Sequence, residues 1–97
     1  MAVKKLVIHE IKSWPAPFAA VLARAKQHEI RKDDRGYQVG DYLRLNEWVP
    51  HPGQLHLTNP PKPAGHYTGH TQLVRVTHID RSPSWGLPEG FVVMSIL

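Results

Sequence analysis

Lys26-Gln27-His28-Glu29-Ile30-Arg31-Lys32-Asp33-Asp34-Arg35-Gly36-Tyr37-Gln38-Val39-Gly40-Asp41 is the stretch whose reading decides the fold. Charged side chains crowd it, yet Ile30 lies inside the run and a Gly-Asp turn closes it. A strand carrying polar chemistry on a rim fits this pattern better than a disordered charge run. Residues 26–32 are therefore expected to form a strand. Asp33-Asp34-Arg35-Gly36 supplies the turn after it, because Asx side chains bond their own backbone and glycine tolerates positive φ. Residues 42–49 follow as the next strand, in which Leu43 and Leu45 alternate with Tyr42, Arg44 and Asn46 as on a half-buried sheet.

Working back from that stretch, Phe18, Val21, Leu22 and Ala25 recur at helical spacing and predict a helix over residues 15–24 with one apolar stripe. Ser13 is placed to cap it, and Pro15 and Pro17 fall where the first helical N–H groups lack partners anyway. Residues 3–11 mix β-branched and charged side chains, with Val7, His9 and Ile11 on one face, and are expected to be the first strand.

Working forward, residues 50–69 hold five prolines, three glycines and three histidines. They predict a long loop, and loops of this length are often binding elements or lids, though an insertion between two strands fits as well. Residues 71–79 are the expected fourth strand, with Val74, Val76 and His78 on one face. The continuous apolar run at residues 91–96 closes the chain as a strand covered on both sides. One principal helix with five or six mostly antiparallel strands makes a mixed α/β, mainly β chain. A small β-barrel is the expected arrangement, because closure removes sheet edges that a short chain could not otherwise cover.

With 97 residues, the chain is expected to form a single domain spanning 1–97. No apolar run is long enough to cross a bilayer, and the N-terminal apolar segment lacks a signal-peptide cleavage pattern. There is no cysteine, which excludes disulfides, thiolate metal sites and cysteine nucleophiles; the expected location is cytoplasmic, and the default state is a monomer. Twelve Lys and Arg against eight Asp and Glu give a net charge of +4, a surplus consistent with a phosphate-bearing partner.

His9-Glu10-Ile11-Lys12, Phe18 with Val21 and Leu22, Lys26-x-x-Glu29-x-Arg31-Lys32, Val39-Gly40-Asp41, Tyr67-Thr68-Gly69 and the segment from Gly90 to Ile96 together resemble a small, functionally uncharacterised bacterial or phage-type branch of the ASCH domains, within the PUA-like superfamily. The resemblance runs in order over nearly the whole chain, apart from residues 50–65. It implies a PUA-like β-barrel with a cleft beside the helix, lined by Lys26, Glu29 and Arg31, that binds RNA or a modified nucleotide or nucleoside. The ASCH signature Gly-x-Lys-x-x-Glu-x-Arg is met except at its glycine, near which Arg24 or Ala25 stands here. In ASCH amidohydrolases of acylated cytidine a threonine stands three residues after the lysine. Glu29 stands there in this chain, so that activity is not carried over.

Three side chains form the expected site. The planar fork of Arg31 suits phosphate or carboxylate, Glu29 shares its strand face, and Lys26 adds a second cation. The same residues also fit an ion pair that merely satisfies a barrel rim. Trp14 leads Tyr37, Trp48, Tyr67 and Trp85 as a stacking platform for a base. His66-x-x-x-His70 and His51-x-x-x-x-His56 have usable separations, but no carboxylate completes a site; neither a metal nor a cofactor is expected. The leading function is RNA or modified-nucleotide binding. One alternative is a small hydrolase or nuclease with Glu29 as general base and Lys26 in support. Another is a protein-binding adaptor that uses the long loop.

Overall fold

The computed structural model describes residues 5–97. Along the chain come β1 (Ile8–Ser13), α1 (Pro15–Leu22), β2 (His28–Lys32), β3 (Tyr42–His56), β4 (Lys62–Arg81), a 3₁₀ turn (Ser84–Gly86) and β5 (Phe91–Ile96). The expected first strand starts later than its pattern suggested, and residues 3 and 4 of that expectation lie outside the described residues. The strands form one five-stranded sheet in the order β1-β3-β4-β5-β2. β1 runs parallel to β3, while β3–β4, β4–β5 and β5–β2 are antiparallel.

The core is built where strand alternation meets the helix stripe. Leu43, Leu45, Val76, Val92 and Met94 are fully shielded, and Ile11, Phe18, Val21, Tyr37, Val74 and Ile96 complete the cluster. In β5 only alternate residues, Val92, Met94 and Ile96, are buried; the other face is half covered. His78 does not join Val74 and Val76 as its parity implied. A register shift between Val76 and His78 re-aims the strand, so Ile79 packs on the core instead. A second irregularity, between Asn46 and Trp48, turns Trp48 inward although it shares parity with Arg44 and Asn46.

Three expectations are corrected. First, the sheet does not close into a barrel: among the described residues no ladder joins its end strands, β1 and β2. Arginine side chains cross that seam instead. Arg31 donates from a terminal guanidinium nitrogen to the Lys12 carbonyl at 2.6 Å, and Arg35 donates to the Glu10 carbonyl. Second, residues 50–69 are not a structureless loop, because β3 and β4 continue through them as a two-stranded arm whose register includes Pro50↔Gly65, Leu55↔Pro63 and His56↔Lys62. Prolines are tolerated there because each strand of a lone ribbon has a free edge, on which a missing N–H breaks no ladder. Third, Ser13 ends β1 and does not cap α1, whose N-cap residue is Trp14. A capping oxygen binds the second or third helical N–H, and Pro17 has removed the latter.

Candidate functional site

The site begins at the end of α1. Arg24 follows the helix with φ +61 and donates its N–H to the Val21 carbonyl at 2.9 Å, while Ala25 N–H reaches Ala20 O at 2.9 Å. This pair of bonds is a Schellman motif, in which the left-handed residue is usually glycine because a Cβ is disfavoured there. Arg24 thus stands at the left-handed position of the motif, two residues before Lys26. Lys26 N–H also bonds Ala20 O, at 3.0 Å, which fixes where the lysine leaves the helix.

β2 then presents an inverted face. Ile30 is half exposed, while Glu29 is buried to 3% exposure and Arg31 is partly covered. Lys26 Nζ donates to Glu29 Oε1 at 3.0 Å and Arg31 Nε donates to Glu29 Oε2 at 3.1 Å, so each carboxylate oxygen holds one cation. The expected trio is therefore brought together, but as a mutually paired network. A cleft of about 230 Å³ adjoins it, lined also by Lys12, Ser13, Trp14 and Ile30. Lys26 and Arg31 keep a quarter to a third of their side chains exposed. Arg31 has five N–H donors and Lys26 three, so both retain donors beyond those committed to Glu29 and Lys12. The Ser13 hydroxyl is buried with no hydrogen-bond partner.

Trp14 is half exposed at the lip of this cleft. Its ring lies 6.0 Å from that of Trp48, tilted by 43°, and Lys12 Nζ sits 4.1 Å from the Trp48 ring centroid, a cation–π distance. Trp48 is itself buried and rests against Gly65, where a Cβ would overlap the indole. The other aromatic candidates lie elsewhere. Tyr37 is in the core beside His9, where burial pushes its phenol above the ordinary value of 10.0. Tyr67 borders a separate hollow with Asn46 and His70, and the Trp85 indole N–H donates to Asp80 at 3.1 Å.

Sequence reasoning missed Lys12, Ser13 and the arm residues His56 and Lys62. Lys12 carried a local signal, since it stands two residues before the favoured tryptophan. Lys62 had none, because only the β3–β4 pairing brings it near Trp14. The histidines bond other partners than the two sequence separations suggested: His70 Nδ1 lies 3.2 Å from Glu47 Oε1. His51 and His66 meet across the arm instead, with Nε2 and Nδ1 2.8 Å apart. Among the described residues, no three His, Cys, Asp or Glu side chains converge on a point that could hold a metal ion, and none of their helices is long and apolar enough to cross a membrane.

The chain belongs to the family described as a domain of unknown function, DUF3850, which matches residues 8–96. It is also similar to an uncharacterised 12.9 kDa protein in the GpA 3′ region of Escherichia phage P2, with 35% identity over 78 residues. Those residues cover 80% of this chain and 59% of the phage protein, so the chain spans less than two thirds of that relative.

Proposed function

We propose that this protein is a binding module for RNA or a modified nucleotide, of the ASCH or PUA-like kind, and not a hydrolase. The observation that supports this most is the Lys26–Glu29–Arg31 network lining a cleft together with the half-exposed Trp14. The free N–H donors of Lys26 and Arg31 suit phosphate or the acceptor edge of a base, and the indole suits its π-face. A general base needs a free lone pair within reach of the proton it takes. Each Glu29 oxygen accepts one bond from a cation and keeps a further lone pair, but the carboxylate is only 3% exposed behind those cations, which limits its access to a substrate proton and favours binding over catalysis.

The test is a set of titrations with nucleotides and short RNAs over a range of salt concentrations. Two or three phosphate contacts predict a log–log slope of about −1.4 to −2.1, at about 0.7 per neutralised phosphate on a single strand. Lys26→Ala should flatten the slope by about 0.7, and Trp14→Ala should weaken binding by about tenfold, the worth of one stacked base. Absence of binding to every nucleotide and RNA overturns the reading. So does turnover of an acylated nucleoside or RNA that Glu29→Gln abolishes.

A further inference from the structure

Trp14 borders two clefts. The second, of about 310 Å³, lies between the body and the arm and is lined by Lys12, Trp14, Trp48, His56, Lys62 and Gly65. It shares Lys12 and Trp14 with the first cleft, so the two compartments adjoin at those side chains. Ligand pockets commonly measure about 300–1,000 Å³, which puts each compartment at or below the smallest usual size. Each has room for one small group at most.

Charge is segregated along the same path. From Trp48 through Ile79 the chain has no Asp or Glu, and within that span the arm carries Lys62, His51, His56 and His66. His56 and Lys62 are direct partners in the β3–β4 register, so the arm's contribution to the wall is a cross-strand pair. Between the compartments stands Lys12, whose ammonium lies over the Trp48 ring at 4.1 Å. Trp48 lies against Gly65 of the arm, which ties the arm's root to the sheet. The pattern along the two compartments is the Lys26–Glu29–Arg31 network with its one surplus positive charge, exposed indole, single cation, then Lys62 with His56.

From this arrangement we infer that the two compartments act as one channel that takes a single-stranded polynucleotide, not a free nucleotide, and that the β3–β4 arm is its second wall. One base stacks at Trp14, the linking phosphate meets Lys12, and the next nucleotide enters the compartment bounded by His56 and Lys62. A single strand fits because its bases can be splayed onto an aromatic face, whereas a duplex keeps them stacked. This inference rests on the nucleotide-binding reading above and specifies the ligand class for it.

A length ladder tests it. Ribonucleotide 5′-monophosphate, dinucleotide, tetramer and octamer, their deoxy counterparts and a duplex of the octamer are titrated against wild type, Lys62→Glu and His56→Glu. Both substitutions fall on exposed arm positions outside the core, and a thermal melt confirms that each variant is folded. The expected result is a gain of about tenfold or more from mononucleotide to dinucleotide, near the worth of a second stacked or neutralised unit. Each variant should lose most of that gain. Equal affinity for RNA and DNA indicates contact through bases and phosphates, and an RNA preference indicates contact with the 2′-hydroxyl; either supports a single-strand channel. Equal affinity for monomer and oligomers overturns the inference while leaving the nucleotide reading intact. A length gain that survives both charge reversals, or tighter binding to the duplex, also overturns it. No binding to any member of the ladder removes the inference together with the reading beneath it.

Discussion

Arg31 bridges the seam that the sheet leaves open, and this predicts a stability cost that a purely ligand-binding arginine would not carry. Its Nε bonds Glu29 Oε2 at 3.1 Å and a terminal nitrogen bonds the Lys12 carbonyl at 2.6 Å, so one guanidinium joins β2 to β1. A hydrogen bond to a charged group contributes about 1.5–3 kcal/mol, so two fully buried ones would sum to about 3–6. With 31% of the side chain exposed, solvent replaces part of each bond. That leaves about 2–3 kcal/mol for Arg31→Ala. An ammonium can reach one of the two acceptors but lacks the fork to hold both, so Arg31→Lys should cost about 1–1.5 kcal/mol although the charge is kept. For a domain of this size that is a fall in Tm of roughly 4–12 °C for lysine, and about twice that for alanine. Thermal and urea unfolding followed by circular dichroism at neutral pH measures both. If Arg31→Lys melts within about 0.3 kcal/mol of wild type, a spread well below that of one charged hydrogen bond, the seam argument is wrong. The same reasoning makes Arg31 a poor probe of ligand contact, because its loss loosens the cleft, and Lys26→Ala also removes a partner of the buried Glu29; Trp14 is cleaner.

Arg24→Gly should stabilise the protein by about 0.5–1 kcal/mol: removing the Cβ from a left-handed position relieves about 1–2 kcal/mol, and the extra freedom of glycine in the unfolded chain returns part of it. Unfolding midpoints decide this, and a destabilised variant would refute the Schellman assignment. Gly65→Ala places a methyl group where the Trp48 indole lies. Overpacking of this kind typically costs about 1–3 kcal/mol, and the displaced ring should change the tryptophan emission spectrum; an unchanged spectrum and midpoint would contradict the packing described. Tyr37 titrates above its ordinary value of 10.0, chiefly because burial disfavours the phenolate. An acid whose folded value is raised holds its proton longer in the native state. Its contribution is complete below about pH 10 and is lost as pH rises through the higher folded value. Tyr37→Phe should therefore flatten the alkaline fall in stability, and an identical pH profile for the variant would count against this.

Most strands were legible because their signal is local. Val92, Met94 and Ile96 alternate in the sequence as they do in the structure, and Leu43 with Leu45 points inward as the pattern requires. Where register shifts intervene, alternation misleads, as at His78 and Trp48, since a bulge changes the face of every residue beyond it. The arm was hidden for a different reason. Proline and glycine signal loops because they break central ladders, but a two-stranded ribbon is all edge and accepts them. Of the site, Lys26, Glu29, Arg31 and Trp14 were legible because a short helix and the strand after it hold them near one another in sequence. Lys12 and Lys62 are 50 positions apart and share a compartment only through sheet pairing.

The position of the cleft follows from the way the sheet ends. β1 and β2 are its two edge strands, and an edge strand commonly carries an inward-pointing charge that discourages pairing with another chain. That accounts for a charge on β2, but not for its burial. A carboxylate 3% exposed between two cations has lost its hydration, and apolar side chains of similar size are often at least as stable in such places. The seam leaves strand carbonyls at Glu10 and Lys12 that no ladder satisfies, and long cationic side chains reach them with nitrogens to spare. Once Arg31 is drawn to the Lys12 carbonyl, Glu29 on the same face neutralises it and Lys26 completes the network. The uncommitted donors then gather beside the indole that begins the helix. An open seam sealed by side chains leaves polar groups a ligand can reach, where a closed ladder would have consumed them.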